Sequence, residues 1–214
     1  MPTGPTALLE GAISYGLRSM EAVAPGLLSR PTPCADWDLN TLLLHLNESV
    51  SVLSHGIASG CVDLDPARVD EAAELGNVAE AGSMPGNDGD QGGGGDPATH
   101  LVVAFQKGVR CLRKAWAEKC ADSIDVAGER MPTGFMAITS AVEITVHGWD
   151  ILAACGSRHP IPKGLAFDLL MLCPLLVDGA PRHPMFAAPV PVSRVASPSD
   201  RLVAFLGRDP RFSG

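Results

Sequence analysis

Gly134-Phe-Met-Ala-Ile-Thr-Ser-Ala-Val-Glu143-Ile-Thr-Val-His147-Gly-Trp-Asp150-Ile-Leu-Ala-Ala-Cys155 is the stretch on which the fold turns. Apart from Thr139, Ser140, Glu143, Thr145, His147 and Asp150, its positions are apolar or small. A helix that is apolar nearly all round is a buried one, and Gly156 supplies a stop for it. Working outward, Leu8, Leu9, Ala12, Ile13, Leu17, Met20 and Val23 recur at helical spacing and predict a first helix over 6–28. Asp38 is a fitting N-cap for a second helix lasting to about 58, and Leu101, Val102, Phe105, Val109, Leu112 and Trp116 mark a third over 98–119. A shorter helix is expected over 164–176 and a last one over 199–206, separated by an extended stretch over 186–195.

The connectors are equally readable. Each proline in Arg30-Pro-Thr-Pro-Cys34 biases the residue before it toward extended backbone, so this segment is not helical. Residues 60–97 lose all periodicity, and 76–96 contain eight glycines, which reads as a disordered flexible loop rather than a flap. Residues 121–133 read as irregular. Without alternation of strand and helix, a doubly wound sheet is not expected. The expectation is an all-α fold, an antiparallel four-helix bundle with a small C-terminal extension over about 157–214, and a single domain over 1–214.

Composition narrows the function. The 214 residues are 46% hydrophobic and 19% charged, with a formal net charge of −8, which disfavours a phosphate backbone or an anionic membrane surface as partner. Aromatics make up 5% and Tyr15 is the single tyrosine, so bases have little to stack on. Six cysteines, with no C-x-x-C pair, suit reduced and mostly buried thiols. With no secretory pattern at Met1–Leu9 and no apolar stretch of membrane-spanning length, a cytoplasmic protein with a small-molecule substrate is expected; the oligomeric state is not legible.

On the 134–155 helix Glu143 and His147 are four residues apart and share a face, and Asp150 continues the stripe. Such a stripe is ordinarily a solvated face, but apolar neighbours wrap most of the remaining circumference, and buried Glu and His need partners. His45, within the apolar run Leu42-Leu-Leu-His-Leu46, offers one. A lone histidine there is more often a packed core residue. Together, though, two imidazoles and a carboxylate make a ligand set that leaves positions open on zinc or another divalent ion.

The segments 30–46, Val142-Glu-Ile-Thr-Val-His-Gly-Trp-Asp150 and Asp200-Arg-Leu-Val-Ala-Phe-Leu-Gly-Arg-Asp-Pro210 resemble actinobacterial metal-binding proteins of the DinB-like superfamily, similar to the N-terminal domain of mycothiol-dependent maleylpyruvate isomerase. The resemblance implies a metal held by His45, Glu143 and His147, with Trp37, Asp38, Trp149 and Asp150 at structural or outer positions. Asp150 is the candidate for orienting a ligand histidine. Cys34 matches a recurrent family residue and reads as a packed thiol, while His55, His100, His159 and His183 match no motif. Against the isomerase, the chain carries a glycine-rich insertion and is expected to lack the additional domain that contributes a substrate-binding arginine, so maleylpyruvate itself is not the expected substrate. The implied function is a divalent-metal-dependent thiol transferase or isomerase, with zinc as the expected ion and mycothiol as co-substrate. The alternatives are a metal-dependent hydrolase and a non-catalytic small-molecule-binding protein of a specialised biosynthetic pathway.

Overall fold

A computed structural model of the chain describes residues 4–34, 36–62, 96–119, 121–177 and 186–213. Helix α1, Pro5–Met20, opens with proline in its first turn and buries Leu8, Leu9, Ala12, Ile13 and Met20. It ends eight residues before the periodicity suggests. Pro25 restricts Ala24, and the chain leaves the helix through tight turns in which Glu21, Ala22 and Val23 donate to carbonyls three residues back.

Residues 30–34 are non-helical as expected, and Pro31 makes an isolated bridge with Asp38. Helix α2, Leu39–Ser59, starts where the Asp38 side chain accepts from the Thr41 N–H at 2.8 Å and stops at Gly60, whose φ of +77° suits a residue without Cβ. Helix α3, Pro97–Lys119, follows the expected limits, as does α4, Thr133–Ala154. Helix α5 spans Lys163–Val177, and α6, Pro198–Phe205, is capped by the Ser197 hydroxyl, which accepts from Asp200 N–H.

The all-α expectation needs a correction. Cys61–Val62 (β1) pairs in parallel with Ser123–Val126 (β2), which pairs antiparallel with Glu129–Pro132 (β3), so a small three-stranded sheet replaces the irregular 121–133 stretch. The hairpin turns on Ala127 and Gly128, both at positive φ, and Asp125 Oδ1 accepts from the Gly128 N–H at 2.9 Å. Two central residues at positive φ match the twist of paired strands.

Among the described residues the chain is mostly helical, with six helices. Helix α1 packs along α4, α2 along α3, and α2 also meets α4; α5 and α6 pack on each other. Glycines leave α1 and α4 room to meet: a Cβ at Gly16 would stand 2.9 Å from Ile144 Cγ2, and one at Gly148 3.0 Å from Ser19 Oγ. The core between these helices is mainly Leu, Ile, Val and Ala, with Phe105 among its fully buried side chains. No helix among the described residues is long and apolar enough to cross a membrane.

The cysteine expectation also changes. Cys173 is buried, Cys34 and Cys155 are half-buried, and Cys61 and Cys111 are exposed. Residues 63–95 of the expected glycine-rich loop, together with Cys120 and His183, lie outside the described residues.

Candidate metal centre

Two helices bring the ligand candidates together. On α2, His45 and Ser49 are one turn apart, on a helix whose Leu42, Leu43, Leu46 and Val50 are sunk in the core. On α4, Glu143, His147 and Asp150 share a face for the same helical reason, between buried Val142, Ile144, Val146 and Ile151. Packing those apolar flanks against each other forces the polar residues to converge. The ligating atoms of His45, Glu143 and His147 all lie within 4.8 Å of one another. Glu143 Oε1 is 2.8 Å from His45 Nε2 and 3.6 Å from His147 Nε2, and accepts from the Ser49 hydroxyl at 3.2 Å.

The cluster is graded in depth. His147 is 7% exposed at its side chain and Asp150 fully buried, whereas the side chains of Glu143 and His45 are 34% and 36% exposed. This revises two expectations, because neither Glu143 nor the 42–46 run is wholly buried; Leu44 is 52% exposed. Phe135, at 37%, likewise faces outward. A site buried behind and open in front can hold an ion and still admit a ligand.

Charge follows geometry. Burial alone would raise the Glu143 carboxyl, but the hydrogen bond from His45, the nearby imidazoles and the Ser49 hydroxyl bring it down to about 2. The hydrogen bond to Glu143 raises His45 above its ordinary 6.5, against burial. Cys34 is raised, first by burial and then by Asp150 and Glu143, against the pull of Arg208, so its thiol is a poor nucleophile at neutral pH, consistent with packing.

Behind the candidate ligands, His147 Nδ1 lies 3.1 Å from Asp150 Oδ2. A carboxylate can only accept, so His147 donates from Nδ1, which leaves Nε2 as the nitrogen on the Glu143 side that a cation could use. Trp37 packs against both imidazoles, with ring centroids 4.7 Å from His45 and 6.1 Å from His147. Beside Glu143 a cavity of about 190 Å³ opens between α2 and α4, lined by Ser49, Val50, Leu53, Thr139, Ser140 and Ile144 as well as Glu143.

These donors fit a divalent cation. Bonds of about 2.0–2.2 Å in tetrahedral array separate neighbouring N and O donors by roughly 3.3–3.5 Å. The Glu143–His147 separation of 3.6 Å meets that, while the 2.8 Å His45–Glu143 contact is a proton-bridged pair that a cation would open. Of the other histidines, Tyr15 donates to the carbonyl of His159, and none of His55, His100 and His159 joins the cluster.

Two participants escape the sequence reading. Ser49 carried a signal, a hydroxyl one turn from His45. Arg208 reaches Asp150 Oδ2 at 3.2 Å from within the 200–210 segment, where nothing in the spacing announces it.

Comparison with known proteins adds the evolutionary frame. The family described as the mycothiol maleylpyruvate isomerase N-terminal domain matches residues 9–152. The uncharacterized proteins MT0763 (strain CDC 1551 / Oshkosh) and Rv0738 (strain H37Rv) of Mycobacterium tuberculosis are each 27% identical over 186 residues, covering 86% of this chain and 86% of their own. Among solved structures, the mycothiol-dependent maleylpyruvate isomerase superposes with a TM-score of 0.53 at 17% identity, covering 78% of this chain and 66% of that one, just under two thirds. The crystal structure of a histidine-to-alanine mutant of that isomerase gives the same values. At this identity the likeness is one of fold.

Proposed function

The chain belongs to the mycothiol maleylpyruvate isomerase N-terminal domain family, and from that premise we propose that it is a metal-dependent enzyme activating a low-molecular-weight thiol for addition to a small electrophile. The observation that carries the proposal is the convergence of His45, Glu143 and His147 on one half-open point, with the Nε2 of His147 freed by Asp150. Zinc is the proposed ion, because neutral imidazoles and a carboxylate are its usual donors in catalytic sites. Bound there, a divalent cation supplies the positive charge that favours the thiolate of a coordinating thiol at neutral pH.

The remaining work falls to the protein. Asp150 fixes the His147 ring, Ser49 holds Glu143 Oε1, and Trp37 shields the imidazoles from water on one side. The cavity beside Glu143 is the approach for the electrophile, with apolar walls for carbon and hydroxyls for its polar ends. Addition of the thiolate to an alkene leaves a single bond free to rotate; elimination then returns the thiol and releases an isomer, while protonation instead gives the S-conjugate. Mycothiol is the proposed thiol, on the strength of the family. The same reading makes α1–α4 the DinB-like antiparallel bundle of a single domain. The free thiols Cys34, Cys61, Cys111 and Cys155 suit the reducing cytoplasm.

The test is metal analysis of protein purified without a histidine tag, followed by turnover assays on alkenes and epoxides with and without mycothiol. About one divalent ion per chain and thiol-dependent consumption are expected. Thiol-independent hydrolysis would make it a hydrolase, and protein that ignores added zinc would make it a binding module.

A further inference from the structure

Arg208 is 5% exposed and Asp150 is completely buried. Charges withdrawn from water this far are costly unless paired, so their meeting is a built feature rather than a surface coincidence. We propose that Arg208 is a positioning residue for the candidate metal centre: it fixes the Asp150 carboxylate, and through it the orientation and tautomer of His147. The inference rests on the reading that His45, Glu143 and His147 hold a divalent cation.

The geometry gives Asp150 Oδ2 two donors. Arg208 Nη2 approaches it at 3.2 Å and His147 Nδ1 at 3.1 Å, so the point at which Arg208 holds that oxygen decides where the imidazole N–H must aim. With Nδ1 committed, Nε2, 3.6 Å from Glu143 Oε1, is the nitrogen left for a cation. Arg208 is itself pinned, since Nη1 donates to the Leu206 carbonyl at 2.9 Å and Nη2 lies 3.7 Å from Cys34 Sγ. A planar guanidinium can serve these partners together, where an ammonium would be a point charge without the fork.

The backbone beyond α6 is shaped to deliver the side chain. Arg208 N–H donates to the Val203 carbonyl at 2.9 Å, folding the chain back over the helix end, and Gly207 makes the reversal at φ +87°. A Cβ at Gly207 would stand 2.7 Å from Ala187 Cβ, so glycine is needed there for space as well as conformation. Arg208 lies outside the 9–152 segment that defines the family match, so a residue from the tail completes a centre whose ligands all lie within that segment.

The experiment uses the full chain with Zn²⁺ as probe, its affinity read by chelator competition at fixed pH. The His147 tautomer is read by long-range ¹H–¹⁵N correlation on metal-free protein. Wild type is expected to bind one ion and to carry the proton on Nδ1. R208M is expected to lose about 10–100-fold in affinity, the usual effect of removing an outer partner, and to populate the Nε2–H tautomer. In a D150N background R208M should cost nothing further, because the arginine acts through that carboxylate. Wild-type affinity and tautomer in R208M, or losses that multiply in the double variant, would overturn the inference. Should R208M fail to fold, R208K decides: several-fold weaker binding in a folded protein supports it, and unchanged binding overturns it. Failure of the underlying reading looks different, because wild type itself would then bind no zinc.

Discussion

His45 Nε2 and Glu143 Oε1, 98 residues apart in sequence, lie 2.8 Å apart, so the hydrogen bond between α2 and α4 engages two atoms that a cation would need. The pair sets a competition with a definite pH signature. Glu143, depressed to about 2 from an ordinary 4.5, adds stability that is present above 4.5 and lost as pH falls toward 2. His45, raised above 6.5, adds stability that is full below 6.5 and lost as pH rises through its folded value. In chelator, the melting temperature is therefore expected to fall as pH rises from about 6.5 into the alkaline range. With excess zinc it should hold or rise, because deprotonated histidine is the ligand. Parallel curves in chelator and in zinc would separate this pair from any metal.

Ligand loss should be selective. H45A, E143Q and H147A each remove one of three donors and are expected to strip most of the bound ion, while H100A, on the exposed start of α3, should leave stoichiometry near one. Elemental analysis of the purified variants checks this. Equal losses in H100A and H147A would refute the ligand assignment.

How much of this could be read in advance depended on where the information sits. Helices α2 and α4 were legible because local devices mark them: Asp38 caps one, and the other is apolar around its circumference. The nearness of Glu143 to His147 was legible because helical spacing alone aligns them, whereas the approach of His45 depends on how α2 packs against α4. The hairpin was not, since its turn residues are Ala127 and Gly128, lacking the Asn or Asp that usually announces two positive φ angles. Nor was Arg208, whose pairing with Asp150 spans 58 residues and depends on how α6 docks. The early end of α1 is not legible either, because hydrophobic periodicity continues through Val23 in turns that are no longer α-helical.

Trp37 makes the centre visible. Its ring lies against both imidazoles, so a paramagnetic ion such as Co²⁺ bound between them is expected to quench its emission. Titration of wild type should show saturable quenching, and W37F should lose most of it although Trp116 and Trp149 remain. Undiminished quenching in W37F would place the ion elsewhere.

The contact between α1 and α4 should tolerate no added volume. A side chain at Gly16 must displace Ile144 Cγ2, 2.9 Å from the Cβ position, and Phe105 Cζ at 3.1 Å. G16V is expected to cost about 1–3 kcal/mol, the usual range for overpacking a filled core. Chemical denaturation checks the value, and a midpoint at or above wild type would show that the interface has slack.

The cavity beside Glu143 gives the last prediction, because it separates holding the ion from holding the substrate. Ser140 lines that cavity and donates to the Met136 carbonyl of its own helix at 2.7 Å, so it supports none of the three ligand candidates. S140L should therefore leave zinc affinity unchanged while its added bulk takes up space in a cleft of about 190 Å³. The expected result is a KM for the electrophile raised by about tenfold or more, the scale on which a pocket discriminates by one or two methylenes. With kcat less affected, the loss would mark the cleft as a binding surface rather than part of the reacting centre. An unchanged KM would mean that substrate approaches from the other side of Glu143, past Trp37, and loss of zinc together with turnover would mean that cleft and ligands form one unit.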